Sequence, residues 1–433
     1  MGDLPTSTLE DMCEFVIDCP HFTPEWTDSG FIVIRNQNIR DGRLDLSNPS
    51  FTHHDDFLRR IKRAKPQAGD IIFTREAPMG EVCMVPEGVE CCVGQRQVLL
   101  RPKRDIDRRY LFFALRSQYV RHQIFWNEGT GSTVSNVRIP VLKSLRIPRL
   151  DNLESPIAEL LGALDDKINL NRQTNETLEA MARAIFKDWF VDFGPTRAKA
   201  EGRPAYLASE LWKLFPDALN DDDKPVGWTS RRLDDLFDVS IGRTPPRKEK
   251  QHFLPSGHGK TWLSIKNMGG LQVFAFSSDE DLAPDAVASF RVPLIPAGTV
   301  IVSFKLTVGR VAIVSKDMYS NEAIAHLVPK LTTPVSNYFT YGFMKGFDYE
   351  ALGSTSSIAT AVNSKSIKGI EMVVPDSNVH EAFLELAEPI FDRILSNGRE
   401  VQTLAQTRDL LLPKLMSGEI RLKDAEKLTE DAL

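Results

Sequence analysis

From Ile157 onward, the positions Ile157, Leu161, Leu164, Ile168, Asn171, Asn175, Leu178, Ala182, Ile185 and Trp189 follow one another at alternating steps of four and three. That spacing marks the seam of a coiled coil. A shift of 226 residues gives Phe383, Ala387, Ile390, Ile394, Asn397, Val401, Leu404, Arg408, Leu411 and Leu415, a second seam in the same phase. Each seam spans 32 residue steps, roughly 50 Å of helix. A lone helix would leave such a stripe wet, and a helix-domain-helix order with one long return favours an antiparallel pair. Asn171, Asn175 and Asn397 occupy seam positions. Two readings stand: the amides are buried and penalise alternative registers, or they lie in water at the seam edge. Pro389 and Pro413 are expected to bend or terminate the second helix locally.

The segments ahead of the two helices repeat as well, so the chain is read as domain, helix, domain, helix. "GDIIFTREAPMGEV" (Gly69 to Val82) matches "GTVIVSFKLTVGRV" (Gly298 to Val311) with both glycines in register. "IRN" at Ile34 is paired with "IKN" at Ile265, "GST" at Gly131 with "GST" at Gly353, and "LEDM" at Leu9 with "LDDL" at Leu233. Within each domain, short β-rich runs such as "DIIFT" and "TVIVSF" are broken by Gly and Pro, and "RRYLFFALRS" or "NYFTYGFMKG" supplies a helix. The fold class is therefore α+β: two similar mixed α/β domains separated by two long helices that form an antiparallel coiled coil, a pseudo-two-fold repeat. The expected divisions are a first domain over 1–150, the first long helix over 151–193, a linker over 194–227, a second domain over 228–376, the second long helix over 377–420 and a tail over 421–433. The Pro-, Gly- and acid-rich linker is expected to hold one short helix in its middle.

Composition narrows the function. Of the 433 residues, 42% are hydrophobic and 26% charged, as in a soluble globular protein of two to four folding units, and no run is long enough for a membrane span. The opening "MGDLPTSTLEDMCEF" lacks a signal peptide's pattern, so a cytoplasmic protein is expected. Five cysteines fall in the first quarter with no CxxC spacing, which reads as reduced core or surface thiols rather than a zinc site. The net charge of −6 argues at first against a polyanionic partner. Its distribution removes that objection: the balance is +2 over residues 1–150, zero over 221–376, and −4 in each of 151–220 and 377–433. The two domains are thus free to carry basic faces.

A pair of similar but non-identical domains held apart by helices suits a ligand with a repeating long axis. DNA half-sites one helical turn apart lie about 34 Å from each other, within reach of such a ruler. Here the residues take on a family look. "AMARAIFKDWFVDFGPTRAKAEG" (Ala180 to Gly202), "LLPKLMSGEI" (Leu411 to Ile420), "GWTSRRLDDLFDVSIGRTPPR" ahead of "WLSIKNM", the paired "GST" segments and the acidic "LFPDALNDDDKPVGW" together resemble the specificity subunits of type I restriction-modification enzymes over essentially the whole chain. The resemblance implies a non-catalytic subunit that reads a split, asymmetric double-stranded DNA target. It also implies that the chain binds two modification subunits, which methylate adenine with S-adenosylmethionine, and recruits ATP-driven restriction subunits. S-adenosylmethionine, ATP and Mg are then expected on those partners, with no cofactor in this chain and no membrane partner. One departure is the opening, which lacks the "GW" that precedes Leu233.

The residues themselves offer little catalytic chemistry. An adenine methyltransferase needs a cofactor loop and an Asn/Asp-Pro-Pro-aromatic tetrad, and neither is present. "PSGHGKTW" (Pro255 to Trp262) imitates the end of a P-loop, but Leu254 replaces the first glycine and a strand-like run follows. His53 and His54 beside Asp55 and Asp56 lack a second ligand cluster and read as a solvated loop. The "DDD" of Asp221 to Asp223 reads as a solvated linker run.

DNA contact is expected from loops rich in Arg, Lys, Asn, Gln and hydroxyls, which are the groups that read base edges or grip phosphate. In the first domain these are Arg35, Asn36, Gln37, Asn38 and Arg40, then Arg75, Gln95 and Arg96, then Ser132, Thr133, Asn136 and Arg138 around the glycines of "GTGSTVSNVR". In the second domain they are Arg247 and Lys248, Lys266 and Asn267, Lys305 and Arg310, and Ser354, Thr355 and Ser356. The bland reading of each is a turn residue or an ordinary surface cation. Trp189, Phe190, Val191 and Phe193 form an apolar cluster that either packs on the adjoining domain or meets a modification subunit, and the outer faces of the acidic helices are docking candidates for such subunits. Two competing functions remain: a two-headed protein- or RNA-binding scaffold, and a self-sufficient methyltransferase.

Overall fold

The computed structural model describes residues 5–76, 78–126, 136–352 and 363–430. It divides into two compact units, Met1–Ile168 with Gln402–Leu433, and Asn169–Val401. Both long helices run unbroken across that division, from Glu154 to Phe190 and from Ser377 to Met416. Each unit therefore consists of one recognition domain and a length of each helix.

None of the twenty seam positions is exposed. In the second unit the helices run antiparallel, since Asn175 meets Ile394 and Asn397 while Phe186, further along, meets Phe383. The water-edge reading of the asparagines is overturned: Asn171, Asn175 and Asn397 retain at most 4% exposure. Asn397 Nδ2 donates to Asn175 Oδ1 at 2.8 Å, and Asn175 Nδ2 donates to the Ile394 carbonyl at 3.2 Å. This amide ladder demands one register, because a slip would leave buried amides facing hydrocarbon. Pro389 does not end its helix and neither does Pro413. The stop comes instead at Gly418, whose φ of +71° and N–H bond to the Leu415 carbonyl form a left-handed C-terminal turn.

Each recognition domain is built on an antiparallel sheet. In the first domain the order is Cys13–Asp18, Gln97–Pro102, Ile71–Thr74, Val82–Met84. In the second, Phe237–Ile241, Ile324–Pro329, Val300–Ser303 and Val311–Val314 repeat it, with Phe274–Ala275 added in parallel at the edge. The runs Ile71–Thr74, Val300–Ser303 and Val311–Val314 are buried at every position, which explains why they read as continuous apolar stretches without alternation. A second, smaller sheet brings Phe31–Ile34 parallel to Cys91–Val93 in one domain and Lys260–Leu263 parallel to Tyr319–Ser320 in the other. Helices Arg108–Arg116 and Asn337–Gly346 follow at matching places.

The divergent opening begins the first domain in the same way as the second. Thr6–Thr8 pairs with Arg146–Pro148 as Thr229–Arg232 pairs with Glu371–Val374. Leu9 N–H then bonds the Leu145 carbonyl, and Leu233 N–H bonds that of Ile370, both at 2.9 Å. Leu9, Met12, Leu233 and Leu236 are buried, so the spacing of apolar residues in "LEDM" and "LDDL" does the work that the missing "GW" does not.

The linker holds the short helix Ser209–Leu214 in its middle and a second one, Gly194–Ala200, at its start. Around them Trp189, Phe190 and Phe193 are buried with Phe215, Trp228, Phe339 and Phe383, while Val191 is exposed. Ring centroids lie 4.9 Å apart for Trp189–Phe215 and 5.2 Å for Phe190–Phe383. Three of the four residues of that apolar cluster are thus core. All five cysteines are free and buried. Burial pushes their thiols up, to about 12 for Cys13 and Cys91 and about 11 for Cys92, away from the reactive thiolate.

Candidate nucleic-acid interface

The hairpin that joins Ile71–Thr74 to Val82–Met84 in the first domain and Val300–Ser303 to Val311–Val314 in the second is built alike in both. Thr74 Oγ1 donates to the Pro78 carbonyl at 2.5 Å and accepts from Glu81 N–H at 2.9 Å, while Gly80 N–H bonds the Thr74 carbonyl at 2.9 Å. Ser303 repeats each bond, donating to the Thr307 carbonyl, accepting from Arg310 N–H at 3.0 Å, and receiving Gly309 N–H on its carbonyl at 2.9 Å. Gly80 and Gly309 share φ values of +83° and +84°, a left-handed conformation that glycine adopts without steric cost. One hydroxyl therefore brackets each hairpin tip, and the side chains on the tip are free to differ.

A second frame follows the parallel strand. Asn38 Oδ1 accepts from Arg35 N–H at 2.9 Å, and Asn267 Oδ1 accepts from Ser264 N–H at 2.9 Å, each asparagine closing a turn on the residue three before it. Asn38, and not Asn36, is thus the counterpart of Asn267. The pairing of "IRN" with "IKN" is two residues out of register, because "NQN" offers two asparagines and only the second makes the turn.

In the first domain several predicted residues gather around Glu76. Asn36 Nδ2 donates to its carbonyl at 2.6 Å, Arg96 Nε lies 3.1 Å from its carboxylate, and Asn136 bridges it as an isolated β-pair. Gln97 Nε2 donates to Asn36 Oδ1 at 3.3 Å and ties the group to the central sheet. Arg35, Gln37, Arg40, Arg96 and Arg138 are exposed. Gln95 spends its amide on the His21 carbonyl and the Thr23 hydroxyl. Two expectations are corrected. Asn38 is buried with its amide committed to backbone. Arg75 holds both carboxylate oxygens of Asp18 through Nη1 at 2.9 and 2.8 Å and the Val137 carbonyl through Nε at 3.0 Å, so most of its guanidinium is committed to bracing the sheet.

In the second domain, Arg247 packs between the rings of Phe253 and Trp262, 4.2 and 4.7 Å from their centroids, with Glu280 at 2.6 Å. Lys248 is exposed beside it. Lys266 pairs with Asp279 at 2.8 Å yet keeps most of its surface in solvent. Arg310 is brought to the turn that Asn267 opens: its guanidinium lies so close over Asn267–Gly270 that a Cβ on Gly269 would sit 2.4 Å from it. Lys305 is exposed on the hairpin tip. Ser132, Thr133, Ser354, Thr355 and Ser356 lie outside the described residues. Sequence reasoning missed Trp26, which is 46% exposed and carries the Arg35 guanidinium 5.0 Å over its ring. It also missed Glu76, whose only signal was its place between two candidate loops.

The sites that imitate other chemistry have ordinary explanations. The amides of Gly257 and Gly259 in "PSGHGK" both donate to Asp281 Oδ2, at 2.8 and 3.1 Å, so this turn already holds an internal carboxylate. The pair His53–His54 opens a helix, His54–Arg60, with His53 Nδ1 accepting from Asp56 N–H, so the segment is a helix cap instead of a solvated loop. Among the described residues, no group of His, Cys, Asp or Glu could hold a metal ion, and no helix is long and apolar enough to cross a membrane.

The family model for the type I restriction modification DNA specificity domain matches residues 1–180 and 225–393. The chain belongs to this family. The two matched stretches each contain one of the recognition domains described above. The specificity subunit of the type I restriction enzyme HindI from Haemophilus influenzae is 28% identical, over 87% of this chain and 93% of that protein. The specificity subunit of the MjaIX enzyme from Methanocaldococcus jannaschii is 26% identical, over 82% and 78%. The solved S subunit of a type I restriction-modification system from M. genitalium has the same fold, with a TM-score of 0.52 at 15% identity, over 96% of this chain and 97% of that one. The protein's function is that of a specificity subunit, the DNA-recognising and non-catalytic component of a type I restriction-modification system.

Proposed function

We propose that this specificity subunit reads a split, asymmetric double-stranded DNA target through the hairpin tips and turns of its two recognition domains, and that the paired helices set the gap between the two halves. The observation that carries this is the pair of identically bracketed tips. Thr74 and Ser303 hold the same backbone frame, yet the tips differ in side chains, Pro78 and Met79 in one domain and Leu306, Thr307 and Val308 in the other. Equal frames with unequal side chains suit two unlike half-sites. Arg35, Asn36, Gln37, Arg40, Arg96, Asn136 and Arg138 serve the first half. Arg247, Lys248, Lys266, Asn267, Lys305 and Arg310 serve the second, with Ser132 and Thr133 joining the first set and Ser354, Thr355 and Ser356 the second. The partners are two modification subunits and the restriction subunits, which supply S-adenosylmethionine, ATP and Mg, and the assembly works in the cytoplasm. The acidic outer faces of the long helices are the docking surface for those partners.

Methylome sequencing of cells with and without this chain tests the reading. The expected result is a split motif with unequal halves, methylated only when the chain is present, and salt-sensitive binding of that motif by the reconstituted complex. A contiguous motif, or none, contradicts it.

A further inference from the structure

Seven non-glycine residues among those described have left-handed backbone, and two of them are apolar. Phe193 is buried. Leu306, at φ +63°, is 88% exposed at the hairpin tip, with Val308 beside it at 41%. Left-handed backbone is unfavourable for leucine, and full exposure forgoes its burial, so the position carries two local costs at once. The conformation is not slack. Ser303 brackets the loop from inside, Gly309 packs on the Tyr349 ring so closely that a Cβ there would lie 2.7 Å from it, and Tyr349 is itself anchored by its hydroxyl to the Met344 carbonyl at 2.8 Å.

The neighbours of Leu306 define what it meets. Lys305 precedes it, Arg310 closes the loop, and the Arg310 guanidinium lies against Gly269 in the turn Asn267–Gly270. An apolar point of one or two side chains set between cations is too small for a protein interface, whose apolar core is broader. It matches a DNA major groove, which admits a two-stranded β-ribbon and whose base edges present one apolar group, the thymine 5-methyl. Building on the proposed DNA reading, we propose that Leu306 is a specificity-determining residue of the second domain and makes apolar contact with a thymine 5-methyl group. The first-domain hairpin, which carries Pro78 and Met79 where this one carries Thr307 and Val308, selects differently.

The test uses the full chain in complex with its modification subunits and the target found by methylome sequencing, with each thymine replaced in turn by deoxyuridine, which lacks only the methyl. Wild type is expected to lose about five-fold in affinity at one position, the value of one apolar methyl contact. Leu306→Asn, which tolerates left-handed backbone and so preserves the loop, is expected to bind the thymine target about as weakly as wild type binds the uracil one, and to lose nothing further on substitution. Leu306→Met restores the sensitivity. A wild type indifferent to uracil everywhere, or a Leu306→Asn variant as sensitive as wild type, overturns this inference while leaving the split-target reading intact. Failure to bind any split target removes both.

Discussion

Asp165 Oδ1 lies 2.6 Å from Arg408 Nη1, and its other oxygen lies 3.0 Å from Arg116 Nη1. One carboxylate on the first long helix thus holds a seam residue of the second helix and the end of the recognition-domain helix Arg108–Arg116. Arg408 explains its own anomaly in the sequence, a cation in an apolar seam. Arg116 and Arg408 are 8% and 10% exposed, so solvent screens this cluster little.

Removing the shared carboxylate should therefore cost more than removing either cation. Asp165→Asn strips Arg116 of its ion-pair partner, leaves Arg408 only its neighbour Asp409, and is expected to destabilise the first unit by about 3 kcal/mol. Arg408→Leu restores an apolar seam, leaves Asp165 paired with Arg116, and is expected to stay within about 1 kcal/mol of wild type. Denaturant unfolding of the purified variants measures both, and equal losses would contradict the shared-carboxylate account.

The asparagine ladder predicts strong coupling. Asn397→Leu orphans the Asn175 carbonyl oxygen and is expected to cost about 1–3 kcal/mol. Adding Asn175→Leu should recover most of that loss, since two leucines then meet in the seam. A double-mutant cycle in thermal unfolding checks this, and additive losses would contradict it.

Acid should weaken the second unit through His326. The ring is fully buried between the Ser240 and Ser320 hydroxyls, and burial draws its pKa down to about 4. The folded protein holds it neutral while the unfolded chain protonates it near 6.5, so its contribution is complete above that pH and is lost as pH falls towards about 4. The full difference amounts to about 3 kcal/mol. The register of the two sheets places Leu99 at the same point in the first domain. His326→Leu should accordingly flatten the decline in Tm between pH 6.5 and 4.5.

Arg75 and Arg96 separate structure from contact. Arg75→Ala removes the brace on Asp18 and should lower the Tm, whereas Arg96→Ala should leave the Tm unchanged and weaken DNA binding by the assembled complex with a shallower salt slope. Melting and salt-titrated binding of the two variants give opposite patterns if this assignment holds.

The repeat, the two seams and the α+β domains were legible because each rests on periodicity, which survives in the sequence as a fixed spacing of apolar residues. What stayed hidden depends on partners distant along the chain. The role of Arg75 is set by Asp18, fifty-seven residues away. That of Asn38 is set by a turn that "NQN" leaves ambiguous. His53 and Asp56 look like loop ligands until the helix they cap is seen. Pro389 breaks the rule for isolated helices because packing along a long seam supplies far more stabilisation than one lost backbone bond removes. Leu306 escaped notice because a search for base-reading residues looks for polar side chains, whereas its signal is a backbone angle.

Lengthening both helices together tests the central claim most directly. Seven residues inserted after Ile168 and seven after Val401 add one heptad, about 10.5 Å, to each helix without changing the seam phase. Methylome sequencing of cells carrying that variant is expected to return the two original half-sites with a gap longer by about three base pairs, at 3.4 Å per pair. An unchanged gap, or altered half-sites, would contradict the helices' role in setting the distance.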